Sequence, residues 1–206
     1  MSATKFSKLY IALKFRLLGA NYTRALVALE TARKIHKDFR KDGETPEFQH
    51  QIEIALHLMT VKGIDSILED VIICALLHDT PEDYPEALPP SWYIQNFGED
   101  NWRRAQWLNK NLWKDYPTYF GQLATDPVTA LVKGCDRKNN FQSMNRGKFS
   151  IEKQKKYAEE VQVYFLPMLK EARRLHPVFM DAFYSLESIL KDQHELITLF
   201  IKASEK

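Results

Sequence analysis

Val71-Ile72-Ile73-Cys74-Ala75-Leu76-Leu77-His78-Asp79-Thr80-Pro81-Glu82-Asp83 decides the reading of this chain. Seven consecutive small or apolar residues are too continuous for a solvent-facing helix, so the run is expected at the centre of a helical domain, buried on most sides. It ends in a His-Asp pair that is then buried with it. An ionised Asp in such a place costs several kcal/mol unless it is paired or bound to a cation, and the neighbouring imidazole favours the cation. Pro81 disfavours α geometry at Thr80, so the helix is expected to stop around Asp79 and to lift Glu82 and Asp83 onto the rim of a pocket.

Upstream, apolar residues recur at helical spacing over Phe6–Leu18, with Gly19 as a stop, and again from Ala25 to Ile35, fading near His36 to Phe39. Arg40-Lys41-Asp42-Gly43-Glu44-Thr45-Pro46 reads as a loop, and its two cations make it either a phosphate clamp or a solvated charged turn. A third helix follows Pro46 and carries His50 among Phe48, Ile52, Ile54, Ala55, Leu58 and Met59; Gly63 closes it and Ser66 is the expected cap of the next. His50 by itself reads more readily as a satisfied core or surface histidine than as a ligand.

Downstream, Glu86 to Pro90 is a loop, and helices are expected over Trp92–Phe97 and from about Asn101 through Trp113, where Tyr116-Pro117 breaks the pattern. Tyr119 to Ala124 is ambiguous. Asp126-Pro127 is a helix start, with Asp as cap and Pro in the first turn. The helix runs to Asp136, a second acid at the end of an apolar run, which reads as a ligand or as the partner of Arg137 or another cation. Asn145 to Ser150 is a loop, Pro167 should kink or divide a long helix over 151–175, and a packing helix spans about 176–201.

These features predict an all-α fold of about eight to ten helices in one domain over residues 1–206. There is no room for a second catalytic domain. The formal charge of +2 carries no polybasic signature, so no nucleic-acid partner is expected. Neither a signal pattern nor an apolar run of membrane-spanning length is found, and Cys74 and Cys135 are isolated; the expectation is a soluble cytoplasmic protein, off the membrane, with reduced core thiols.

His50, His78, Asp79 and Asp136 together offer two imidazoles and two carboxylates from three helices, a set suited to a divalent transition metal with positions left open for water. With their surroundings they resemble an HD-type metal-dependent phosphohydrolase, more narrowly the hydrolase domain of the RelA/SpoT family in its small single-domain form. The resemblance runs from about residue 22 to 165. It is carried by Arg40-Lys41-Asp42-Gly43 followed by His50, by Ala75-Leu76-Leu77-His78-Asp79 with Glu82-Asp83, by Phe97-Gly98 and Lys110, and by Lys133-Gly134-Cys135-Asp136-Arg137 with Asn140. Lys153 and Tyr157 match a basic residue four before a Tyr. Gln51 stands where the family usually has Pro, and Lys138-Asn139 replaces the more usual Leu-His; neither is a metal ligand, and both alter the wall beside the nucleotide.

The resemblance implies Mn2+ held by His50, His78, Asp79 and Asp136, with Glu82 and Asp83 orienting or deprotonating the attacking water. It implies hydrolysis of the alarmone of the stringent response, guanosine tetraphosphate, at the ribose 3′ position to GDP and pyrophosphate. Arg40 would stack on the base, Lys41 and Lys153 would neutralise phosphate, and Asn140, Tyr157, Ser143 and Lys110 would complete the contacts. Two alternatives stay open. One is hydrolysis of another nucleotide, such as the adenosine alarmone or a 2′- or 3′-phosphorylated adenine cofactor; the other is a nucleotide-binding module without turnover.

Overall fold

The structure, a computed structural model, describes residues 3–40, 43–144 and 149–204. It is all-α, as the apolar periodicity predicts. Twelve α-helical segments occur among the described residues: α1 (Ala3–Gly19), α2 (Thr23–Ile35), α3 (Phe48–Leu58), α4 (Leu68–Leu77), α5 (Thr80–Asp83), α6 (Pro90–Phe97), α7 (Glu99–Leu108), α8 (Tyr116–Ala124), α9 (Pro127–Met144), α10 (Ile151–Glu160), α11 (Leu166–Leu175) and α12 (Met180–Ser204). Setting aside the four-residue α5 and counting α10 and α11 as one rod leaves ten. Among the described residues the only β pairing reported is an isolated bridge between Phe39 and Pro46. No described helix is long and apolar enough to cross a membrane.

The chain forms two compact units, one up to Trp113 and one from Lys114. In the first, α4 is the central rod, packed against α2, α3 and α7. Every residue from Val71 to Leu77 is at most 1% exposed, which is why this helix has no polar face. Helix α4 does not start at a Ser66 cap. Asp65–Ile67 form a single 3₁₀ turn, and the residue before α4 is Ile67, which makes no side-chain cap. Gly63, at φ +79°, supplies the left-handed turn before it.

The end of α4 follows the expectation only in part. The helix stops at Leu77, but Thr80 is not extended; it opens the new turn α5 with Pro81 in the first turn, where a missing N–H costs nothing. The loop after α2 is a tight hairpin, in which Arg40 N–H donates to Thr45 O at 2.8 Å and Gly43 N–H to Arg40 O at 2.7 Å, with Gly43 at φ +72°. Helix α7 ends at Leu108, so Leu112 and Trp113 do not extend it; Asn109 turns the chain into a short 3₁₀ segment.

In the second unit, Tyr116-Pro117 begins a helix where a break was expected. The Asp115 carboxylate accepts from Thr118 N–H at 2.8 Å and Pro117 sits in the first turn, so the two residues are a start signal. The predicted Asp126 cap is present, accepting from Thr129 N–H at 2.9 Å. Helix α9 packs against α8, α11 and α12. Gly134 allows this: a Cβ there would lie 2.5 Å from Leu186 Cδ2. Pro167 acts as expected, since the rod from Ile151 to Leu175 is interrupted by a π-helical turn, Val161–Phe165, just before it. On α12, Phe183, Leu186 and Leu190 are buried, whereas Met180 and Leu196 are exposed. Cys74 and Cys135 are buried thiols outside any disulfide, Cys74 donating to Asn101 Oδ1 at 3.4 Å, and burial pushes Cys135 up to about 12.

Candidate metal centre

Within the first unit, α3 and the end of α4 bring His50, His78 and Asp79 together, with one ligand atom from each lying within 4.8 Å of the others. The two imidazole centroids are 5.5 Å apart, and both rings are almost wholly buried. His78 Nδ1 lies 2.9 Å from Ala75 O, which can only accept, so Nδ1 carries a proton and Nε2 is the nitrogen turned toward the cluster. Nε2 lies 3.1 Å from Asp79 Oδ1. A nitrogen and a carboxylate oxygen this close are held together by a proton or a cation between them. Two nitrogens and a carboxylate oxygen converging in this way fit a divalent transition metal.

Asp79 also caps the acidic turn, since the backbone N–H groups of Glu82 and Asp83 donate to its carbonyl at 3.1 and 2.8 Å. Both carboxylates therefore stand within one turn of a candidate ligand. Glu82 is ion-paired with Lys110, so Lys110, expected to contact substrate, is held against a catalytic candidate. Asp83 reaches the surface, yet partial withdrawal of its carboxyl from water, together with the charges of Asp79, Glu82 and Glu47, pushes it up to about 6 against the pull of Lys110.

Sequence reasoning missed the residues that hold this turn. His36 is buried at the end of α2, with Nδ1 3.2 Å from Glu47 Oε1 and Nε2 3.1 Å from Thr80 Oγ1. A carboxylate only accepts, so Nδ1–H donates to Glu47 and Nε2 accepts the Thr80 hydroxyl. Burial lowers the pKa of His36 against the opposing pull of Glu47, consistent with that neutral tautomer. Tyr84 packs edge-on to His36 at 5.1 Å. The acid just before an apolar helix, Glu47, was the available signal. Gln51, read as part of a nucleotide wall, is wholly buried and donates from Nε2 to Asp79 Oδ2 at 3.3 Å. Arg40 lies half-buried in its hairpin, and Lys41 falls outside the described residues.

The remaining candidates belong to the second unit. Asp136 accepts from Lys133 Nζ at 2.9 Å and from Asn140 Nδ2 at 2.7 Å, so both carboxylate oxygens are bonded along α9. The cation beside it is Lys133, not Arg137, which pairs with Glu160 at 2.6 Å and lies between the rings of Tyr157 and Phe165. Ser143 donates to the Asn140 carbonyl. Lys153 lies 4.2 Å over Phe149 and 5.5 Å from the Tyr157 ring. The structure thus gathers Asn140, Ser143 and Asp136 on one helix, and Lys153 and Tyr157 on another.

No protein-family model matches the chain. It is similar to the guanosine-3′,5′-bis(diphosphate) 3′-pyrophosphohydrolase of Aquifex aeolicus, at 28% identity over 196 residues. That alignment covers 87% of this chain and 26% of the relative, so the chain spans about a quarter of the length of the protein it matches.

Proposed function

We propose that this protein is a metal-dependent hydrolase of a phosphorylated nucleotide, with guanosine 3′,5′-bis(diphosphate) as substrate and GDP and pyrophosphate as products. The observation that carries the reading is the convergence of His50 and His78 nitrogens with an Asp79 oxygen one turn before Glu82 and Asp83. The similarity to a pyrophosphohydrolase supports the nucleotide class. His50, His78 and Asp79 would hold the metal, with Asp136 as fourth ligand on the strength of its motif; Mn2+ is our choice from the resemblance. When bound, such an ion supplies electrostatic stabilisation of phosphoryl oxygens and makes water easier to deprotonate.

The protein's own groups do the rest. Water attacks the phosphorus next to the ribose 3′ oxygen, the bond between them breaks, and the 3′ oxygen leaves as a hydroxyl after taking a proton. Asp83, its carboxyl pushed up to about 6, would as the carboxylate accept the proton of the attacking water. Glu82, ion-paired with Lys110, would orient that water. Arg40 offers a planar cation to the base or a phosphate, and Lys41, Lys153, Asn140, Ser143 and Tyr157 serve the phosphates and ribose.

Incubating the purified protein with Mn2+ and a panel of guanine and adenine nucleotides, and identifying the products, tests the reading. Pyrophosphate with GDP is the expected result. Orthophosphate release, or a preference for an adenine nucleotide, would move the substrate assignment; binding without turnover would replace hydrolysis with capture.

A further inference from the structure

Gln51 follows His50 on α3, and none of its surface reaches solvent. Its Nε2 lies 3.3 Å from Asp79 Oδ2, the oxygen other than the one facing His78 Nε2. The amide orientation follows from chemistry, because reversal would set Oε1 against a carboxylate oxygen with no hydrogen between them. Oε1 itself meets no hydrogen-bond donor among the described residues. A buried amide with one half satisfied is less stable than an apolar side chain of the same length. Packing therefore does not account for an amide here.

The geometry points to Gln51 as a positioning residue that presets Asp79 for the cation, a reading that rests on the metal centre proposed above. A carboxylate turns easily about its last torsion, and a cation must otherwise select one orientation from several. With Oδ2 engaged by the amide, Oδ1 is the oxygen presented beside the imidazole nitrogens, and Asp79 is held as a one-oxygen ligand. That leaves coordination positions for water and phosphate, which a chelating carboxylate would narrow. Proline at this position would have no side-chain donor, so the device belongs to this chain and not to the motif it resembles.

The test uses the full chain stripped of metal, with Mn2+ alone as the probe. Binding is followed by the loss of the free-ion paramagnetic resonance signal, and the melting temperature of the metal-free protein is measured in parallel. Gln51→Met keeps the length of the side chain and removes the amide. The expected result is Mn2+ affinity about 10- to 100-fold weaker, with the metal-free melting temperature equal to or above that of the parent. If the parent itself binds no Mn2+, the metal centre falls and this inference with it. If the parent binds and Gln51→Met binds equally well, only the role of Gln51 is overturned. Gln51→Leu is the second variant; loss of the fold in both would assign Gln51 to the core and overturn the inference.

Discussion

The Tyr84 hydroxyl donates to Glu47 Oε2 at 2.7 Å, tying the residue after α5 to the residue before α3. The other oxygen of Glu47 takes the proton of His36, whose second nitrogen takes the Thr80 hydroxyl, so one carboxylate holds both ends of the acidic turn. Glu47→Ala leaves the imidazole without its acceptor and the phenol with only its longer bond to Asp38 Oδ2 at 3.4 Å. The expected cost is about 1–3 kcal/mol, read as a lower midpoint in denaturant unfolding. An unchanged midpoint would show that water replaces Glu47 without loss.

Metal dependence is the most direct consequence of the His50, His78 and Asp79 cluster. His78→Ala should abolish turnover and leave the helical circular dichroism intact, because a ligand set that loses one member loses both the ion's charge and its placement. Asp136→Ala should do the same if Asp136 is the fourth ligand. Full activity after exhaustive chelation would remove the metal from the mechanism.

Glu82 and Asp83 separate from the ligands by a different measurement. Asp83→Asn should lower kcat on the order of 10²- to 10⁴-fold, and Glu82→Gln should lower it as well, with Mn2+ bound per chain unchanged in both. An amide accepts hydrogen bonds but is a very poor base. If Glu82→Gln loses its metal, Glu82 is a ligand and the roles assigned here change.

The crowding around Asp83 also sets a pH dependence of stability in the metal-free protein. Its carboxyl is raised from the usual 3.8 to about 6 in the folded state, so its contribution is fully present below pH 3.8 and is lost as pH rises through 6. Asp83→Asn removes that loss. The variant should therefore gain melting temperature relative to the parent between pH 4 and pH 7, with no difference at lower pH; a constant offset across the range would mean that Asp83 does not titrate as described.

Arg40 lies in a polar hairpin whose backbone bonds, from Arg40 N–H to Thr45 O and from Gly43 N–H to Arg40 O, do not use its side chain. Arg40→Ala should leave the melting temperature within about a degree or two. A lost charge-assisted contact to a nucleotide is worth about 1.5–3 kcal/mol, or on the order of ten- to a hundredfold in kcat/KM. The loss should fall mainly on KM. Unaltered kinetics would return the loop to a solvated turn.

What could be read in the sequence follows local rules. An uninterrupted apolar run from Val71 to Leu77 has one stable destination, the middle of a helical core, and His78 at its end is buried with it, whereas Asp79, expected inside as well, keeps 28% of its side chain open to solvent. Asp126-Pro127 and Pro167 act within one or two turns of themselves, and the helix start and the helix defect are where those residues put them. Asp115-Tyr116-Pro117 carries the same start signal, but a Pro after an apolar helical pattern is equally a stop signal, and the Asp115 cap on Thr118 N–H is what separates the two.

The sequence by itself therefore determined the helical class and the central helix, and it offered His50, His78, Asp79 and Asp136 as ligand candidates, because these readings depend on periodicity and on neighbours a few residues apart. Only the tertiary structure decided that Gln51 bonds Asp79 across 28 positions, that Lys110 pairs with Glu82, and that Glu47 gathers His36 and Tyr84. Each of these contacts joins residues on different segments, and a polar group carries no mark of which distant partner will reach it. Burial makes the choice: once α4 and its flanking helices have excluded water, a polar atom left inside is stabilised only by whichever donor or acceptor the packing has delivered, and Gln51 Oε1, without a donor among the described residues, shows that packing does not always deliver one.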